Sequence, residues 1–459
     1  MEQNRGADRN ALQATRSPAY SFYNSEGSLF TTVPEVVHGT SPCRSEWDTG
    51  SDAMNRTTLS RRALLAGAVG AAGAAVLGRS GVAQTPIAPD PTKVPGRPLS
   101  DLGQRAAFEH PRRVVAGIDQ GISLTPLQDL SGIITPADLH YERHHAGVPA
   151  IDPHRYKLLV HGMVERPTVF DLAALRRFPS VSRLAFLECS GNGFSAYRDM
   201  KPELTPQLID GLTSTSEWTG VPVATLFREV GIKPGAKWFL AEGGDAAVMT
   251  RSIPIEKGWD DALIAYGQNG EALRPEQGYP ARLFLPGWEG NTCVKWIRRI
   301  EVADRPFMTR EETSKYTDPL PNDTARQFSF VMDAKSIITF PAYPVTLPDK
   351  RWWEISGLAW SGRGRITRVD VTTDGGATWR PAELQEPVLS KCHTRFRFLW
   401  QWDGREALLM SRAVDETGYV QPTLDALRTV RGPGTFYHFN NIRSWRVRRD
   451  GTVVFGVEA

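Results

Sequence analysis

The stretch Arg395-Phe396-Arg397-Phe398-Leu399-Trp400-Gln401-Trp402 places a large aromatic residue at every second position. A period of two is the pattern of a strand that turns one face to a core and the other to solvent. Trp445 and Val447 alternate with Arg446 and Arg448 in the same way, and a further strand is predicted over residues 452–457. Upstream, Thr373-Asp374-Gly375-Gly376 offers the left-handed backbone positions that a tight hairpin requires. The last third of the chain, residues 320–459, therefore reads as a β-sandwich of immunoglobulin-like type.

Toward the N-terminus the pattern changes. Between residues 126 and 310, short apolar runs such as Tyr156–Val160, Leu184–Leu187 and Arg282–Leu285 alternate with helical patterns. Val223, Leu226, Phe227 and Val230 fall at i, i+3, i+4 and i+7, one face of a helix, and Gly231 is placed to close it with a left-handed cap. The fold class is α+β: a mixed α+β domain followed by the β-sandwich. No internal repeat is present.

Composition narrows the function. The chain has 459 residues, 41% hydrophobic and 23% charged, enough to bury substantial cores in two or three domains. A formal charge of +3 gives no electrostatic case for binding nucleic acid. The four cysteines, at 43, 189, 293 and 392, form no CxxC or CxxCH spacing, which argues against zinc ribbons, iron–sulfur clusters and covalent haem.

Ala63–Leu77 is an uncharged run of Ala, Gly and a few larger apolar residues, too short for a membrane span of about 20 residues. Ser60-Arg61-Arg62 precedes it, and Gly81-Val82-Ala83 supplies the small residues of a cleavage site. Residues 54–83 thus read as a twin-arginine signal peptide, which predicts export of the folded protein to the periplasm and no integral membrane span. The polar residues 1–53 read as a disordered or mis-assigned upstream extension, with translation expected to begin at Met54. Residues 84–125, rich in Pro and polar residues, read as a linker with regular structure beginning after it.

The segment Leu187-Glu188-Cys189-Ser190-Gly191-Asn192-Gly193 follows a predicted strand, and its small residues let a ligand approach the backbone. A cysteine in such a turn is presented, not packed. On chemistry alone a lone cysteine is more often an inert small hydrophobe.

The surrounding text changes that reading. ECSGNG (188–193), YERHHAGVP (141–149), AYGQNG (265–270), GYPARLFLPGWEG (278–290), CVKW (293–296), AWSGRGRITRVDVTTDGGATW (359–379) and SWRV (444–447) stand within one stretch of chain. Together, over residues 125–459, they resemble the molybdopterin domain and dimerisation domain of the sulfite oxidase family.

The resemblance implies a molybdenum-molybdopterin cofactor, no haem in this chain, and oxygen-atom transfer at sulfur. By position, Cys189 matches the thiolate that ligates the metal, a soft donor suited to a metal that cycles between oxidation states. Tyr141, Arg143, His144 and His145 match the first cofactor-binding segment, with Arg143 also in the substrate's anion pocket. Zinc at the two histidines is disfavoured, since no third ligand stands at a recognised spacing. Asp245, Arg282, Cys293, Val294 and Lys295 match further pterin contacts, Lys295 as a point charge at the phosphate end. Gln277 stands where the family has a histidine and can still donate a hydrogen bond.

Tyr316 matches the active-site tyrosine whose hydroxyl donates to the reacting oxygen. Arg443 is the candidate for a C-terminal arginine of the anion pocket, with Arg446 as the alternative. One departure stands out: Gly193 and Phe194 replace a second arginine that ordinarily follows the cysteine motif. A less charged pocket suits something other than a small dianion. The text fits a Sox-type branch of the family, which oxidises sulfane sulfur held on a carrier protein's cysteine. Free sulfite is the runner-up; a periplasmic sulfoxide reductase and a non-enzymatic assembly module are further alternatives. The implied partners are a c-type cytochrome that accepts electrons, the sulfur carrier, and a second copy, giving a homodimer within a heterotetramer.

Overall fold

The structure is a computed structural model that describes Asp90, Lys93 and residues 95–456 apart from Pro321 and Pro433. The expected signal peptide and upstream extension lie outside the described residues. Two compact units are distinguished, 1–98 and 99–459, and among the described residues the second contains every sheet and the candidate site.

Regular structure begins earlier than the linker expectation allowed. Val114–Gly117 and Ile122–Leu124 form an antiparallel pair, and Glu142–Arg143 adds to Ile122–Leu124 as a third strand. Strands of two to four residues are too short to display alternation, so the Pro-rich flank masked them in the sequence. Their consequence is local: Arg143 is held at the edge of a sheet.

The first domain is built on two five-stranded sheets. One runs Glu271–Ala272, Leu263–Gln268, Thr213–Pro222, Val181–Glu188, with Arg282–Phe284 also paired to Leu263–Gln268, and every pair is antiparallel. The other runs Thr168–Phe170, Leu158–Gly162, Ile297–Ala303, Trp238–Gly243, Thr250–Pro254; in it, Leu158–Gly162 and Ile297–Ala303 pair in parallel. The helix Val223–Val230 forms where its periodicity places it. Val223, Leu226, Phe227 and Val230 are buried in the core of this domain, and Gly231, with φ of 68°, ends it with its N–H donated to the Phe227 carbonyl. Across the described residues helices are few and short beside the strands.

The second domain is the expected sandwich. A four-stranded sheet, Lys335–Phe340, Trp352–Trp360, Thr394–Gln401, Glu383–Gln385, shares a core with a five-stranded one, Arg380–Pro381, Ile366–Thr372, Ala407–Asp415, Arg443–Val447, Val453–Phe455. Phe396 and Trp400 are buried in that core while Arg397, Leu399 and Gln401 are exposed or nearly so; Trp445 and Val447 are buried from the other sheet. The turn at 373–376 is longer than a tight hairpin. Ile366–Thr372 returns at Arg380–Pro381 across a loop in which Gly375 and Gly376 have φ of 73° and 97° and Asp374 accepts from Thr372 and Thr378.

The two domains share a boundary that matters for the site. Strand Val181–Glu188 is an edge of its sheet, and the sandwich domain reaches it: the Phe186 N–H donates to the Lys391 carbonyl at 2.8 Å, and Phe186 and Ile209 pack in the sandwich core. An edge strand covered in this way no longer presents a free hydrogen-bonding row there.

Candidate active site

The strand Val181–Glu188 ends in a turn that presents Cys189. The Cys189 N–H donates to the Leu212 carbonyl at 3.0 Å, the Asn192 N–H returns to the Cys189 carbonyl at 2.9 Å, and the Asn192 side chain accepts from the Leu212 N–H at 3.0 Å. Gly193 then leaves the turn with φ of 94°. A Cβ there would sit 2.3 Å from the Arg443 guanidinium and 2.7 Å from the Phe439 carbonyl, so no larger residue fits.

The turn opens on a cavity of about 640 Å³, open solvent at its mouth included. Its walls bring together residues from five stretches of sequence: Tyr141, Arg143, His144 and His145; Cys189; Asp245; Gln277, Arg282, Cys293, Val294 and Lys295; and Tyr316. Of the site residues expected from the sequence, only Arg443 is left outside this wall. Its guanidinium is buried, paired with both oxygens of Asp210 at 3.0 and 3.1 Å, and donates to the Phe439 and Asn441 carbonyls. The alternative, Arg446, pairs with Glu406 near the surface.

Each wall residue is held. Arg282 donates to the Gln277 and Cys293 carbonyls at 3.1 and 2.8 Å, and the Gln277 amide donates to the Tyr141 carbonyl at 2.8 Å. Lys295 donates to the Arg143 and Glu276 carbonyls, both at 2.9 Å. Burial, with Arg282 and Arg143 nearby, pulls its ammonium down to about 7. The thiol of Cys293 is turned to Leu285, accepting from its N–H, which is a structural role. His144 pairs with Glu142 at 3.1 Å, and His145 with the Tyr316 hydroxyl at 3.1 Å.

Tyr316 itself sits at φ of 43°, an uncommon conformation for an aromatic residue. Its ring lies 5.4 Å from the Arg251 guanidinium and 5.1 Å from the Tyr437 ring. Burial and the Cys189 sulfur push its hydroxyl far above the usual phenol range, so it is a neutral donor. Burial also pushes the Cys189 thiol up, with Arg143 pulling the other way. A thiolate at this place needs a cation beside it, which a metal supplies.

Sequence comparison agrees with this architecture. Residues 145–311 match the oxidoreductase molybdopterin binding domain, and residues 326–444 match the Mo-co oxidoreductase dimerisation domain. The crystal structure of the sulfane dehydrogenase SoxCD from Paracoccus pantotrophus contains a chain 45% identical to this one, with a TM-score of 0.74; the match covers 81% of this chain and 100% of that one.

The chain belongs to the sulfite oxidase family of molybdopterin enzymes. Other members align over less of their length. NADH nitrate reductase 2 of Phaseolus vulgaris is 34% identical over 61% of this chain and 35% of its own, and inducible NADH nitrate reductase 2 of Glycine max is 33% identical over 59% and 34%. This chain thus spans about a third of the length of those relatives.

The family's cofactor is molybdenum-molybdopterin, and the cavity fits it. Arg282 Nε and Asn291 Oδ1, on wall residues, are buried with no hydrogen-bond partner, an arrangement that asks for a polar ligand. The wall offers a thiol at one point, a cation in Lys295 at another, and donors and acceptors between them, the mixture that a metal dithiolene carrying a pterin and a phosphate requires.

Several residues at the site were not read from the sequence. Asn291 lines the cavity and donates to the Ser190 hydroxyl at 3.1 Å; Met249 and Trp296 also line it. Behind them, Glu289 is buried between Arg251 at 3.2 Å and His438 at 3.3 Å. The run Glu289-Gly290-Asn291 repeats the acidic, small and amide character of the cysteine turn, which was the available signal.

Proposed function

We propose that this molybdenum oxidoreductase oxidises sulfane sulfur presented on the cysteine of a carrier protein. The observation that carries the reading is the fate of the anion-pocket arginines. Gly193 closes the cysteine turn where the family has an arginine nearby, Arg443 is sealed behind it by Asp210, and Lys295 and Arg282 are turned to backbone carbonyls. Arg143 is then the principal cation toward Cys189. A pocket with one principal cation facing the cysteine favours a singly charged, carrier-linked sulfur over a free dianion. Similarity to the SoxCD chain over all of its length supports the same substrate class.

In this reading the bound cofactor supplies oxygen-atom transfer and two-electron redox chemistry, and the chain supplies position and charge. Cys189 holds the metal; Asp245, Gln277, Arg282 and Lys295, with the backbone at Cys293 and Val294, hold the pterin and its phosphate. Arg143 orients the sulfur's oxygen-bearing product, and Tyr316, kept neutral and fixed by His145, donates a hydrogen bond where negative charge develops on oxygen. A c-type cytochrome takes the electrons, two copies pair through the sandwich domains in a heterotetramer, and the twin-arginine signal sends the loaded protein to the periplasm.

The test compares two substrates with molybdenum-loaded protein and ferricyanide as acceptor: sulfite, and a peptide bearing a cysteine persulfide. Turnover of the persulfide peptide well above that of sulfite, lost in Cys189→Ser, is expected. Rapid sulfite turnover with none on the peptide would replace this reading with that of a free sulfite dehydrogenase.

A further inference from the structure

The turn that carries Cys189 is held from the other domain. Glu188, the residue before the cysteine, is buried, and both of its carboxylate oxygens are engaged. One oxygen accepts from the Lys335 ammonium at 2.6 Å and from the Asn192 amide at 2.9 Å; the other accepts from the Trp360 indole at 2.7 Å. Lys335 donates a second bond to the Asn192 carbonyl at 3.1 Å and lies 3.6 Å from Asp210, the partner of Arg443.

Lys335 and Trp360 belong to adjacent strands of the sandwich, paired residue to residue. A third contact comes from the same domain, where the His438 N–H donates to the Ser190 carbonyl at 2.8 Å. The residue before Cys189, the residue after it, and Asn192 at the far end of the turn are therefore all fixed by the sandwich.

We propose that Lys335, together with Trp360, is a positioning residue for the Cys189 sulfur, so that the sandwich domain sets the geometry of the metal's protein ligand in addition to any part in assembly. The inference rests on the reading of Cys189 as that ligand. Its physical basis is that Glu188 is sealed from solvent, which cannot replace a lost partner in place. Removing the Lys335 ammonium leaves a buried carboxylate short of a cation, and the carboxylate must rotate or draw in solvent. Either change is transmitted through one peptide bond to Cys189, and through Asn192 to the far end of the turn. Residues that orient a metal ligand from behind typically alter metal affinity or activity by about 10- to 100-fold when removed.

The experiment records the thiolate-to-molybdenum absorption band and the thermal transition of purified, molybdenum-loaded full-length protein. It compares wild type with Lys335→Met, Trp360→Phe and Cys189→Ser. The band is expected to vanish in Cys189→Ser, to shift clearly in Lys335→Met, and to shift in the same direction but less in Trp360→Phe, which keeps the ion pair and loses one donor. A lowered thermal midpoint with an unmoved band in the lysine variant would assign Lys335 a purely structural role and overturn the proposal. Should Lys335→Met fail to fold, an unmoved band in Trp360→Phe does the same. A wild-type spectrum without a band that Cys189→Ser removes would instead overturn the assignment of Cys189, and this inference with it.

Discussion

His145 Nε2 stands 3.1 Å from the Tyr316 hydroxyl, joining the first wall of the cavity to the last across 171 residues of sequence. The pair fixes a phenol that burial keeps protonated, at a backbone conformation aromatic residues rarely adopt. Replacing Tyr316 with Phe keeps the ring contacts and removes only the hydroxyl. Turnover by the loaded enzyme is expected to fall about 100-fold, as for loss of one positioned donor, while the thermal midpoint stays close to wild type. Steady-state kinetics beside a melting curve checks both.

Gly193 marks the departure from the family's second arginine, and the structure gives it a steric cause. With φ of 94° and a Cβ position 2.3 Å from the Arg443 guanidinium, the site rejects any side chain. Gly193→Arg, the substitution that would bring an arginine back to this turn, is expected to destabilise the protein by more than about 2 kcal/mol, and so not to create a sulfite pocket. Denaturant unfolding of the variant is the check; a stable Gly193→Arg protein with improved sulfite KM would contradict it.

Arg443 lies outside the cavity wall, with its charge matched by Asp210. Arg443→Met should leave Asp210 buried with Lys335 as its remaining cation and cost about 3–5 kcal/mol of stability, the usual penalty for breaking a buried pair. If the loaded variant can be isolated, its KM should be little changed, because no substrate contact is lost. A selective rise in KM at wild-type stability would return Arg443 to the pocket.

Buried bases give the cofactor-free protein a defined pH dependence, with His140, His145 and His393 acting on the acid side and Lys295 above neutrality. His140 is enclosed, donates Nδ1–H to the Tyr141 carbonyl, and is held neutral, its pKa lowered to about 3 chiefly by burial. Between that value and the ordinary 6.5 the unfolded chain binds the proton that the folded chain refuses, so stability falls as pH drops through this window. Lys295, lowered to about 7, acts in the same sense at higher pH: stability rises from about 7 toward 10.5. Urea unfolding from about pH 4 to about pH 10 should show both slopes, with the upper one reduced in Lys295→Met, Lys257 contributing in the same sense. Binding of a phosphate-bearing pterin should raise the Lys295 pKa again and be accompanied by proton uptake near neutral to mildly alkaline pH.

Much of this is legible in the sequence because the relevant patterns are local. The aromatic alternation of residues 395–402 and the i, i+3, i+4, i+7 spacing at Val223–Val230 each report a face buried against a core. The cavity wall is legible through motif resemblance, since most of its residues sit in short strings that the chain folds back together, with Asp245, Gln277 and Tyr316 placed by position beside them. Arg443 is not, because adjacency to Trp445 says nothing about which carboxylate lies opposite, and Asp210 is 233 residues away. The strands between 114 and 124 are too short to show a period. The clamp of Lys335 on Glu188 spans 147 residues and two domains, and no local pattern announces it.

Cys189 as the protein's ligand to molybdenum is the assignment on which the proposed oxidation of carrier-bound sulfur depends. Molybdenum K-edge X-ray absorption of the purified enzyme and of Cys189→Ser decides it. One sulfur neighbour fewer is expected in the variant, replaced by a light scatterer, with the pterin still bound and oxidation of the persulfide peptide lost. An unchanged sulfur shell in the variant would contradict the assignment.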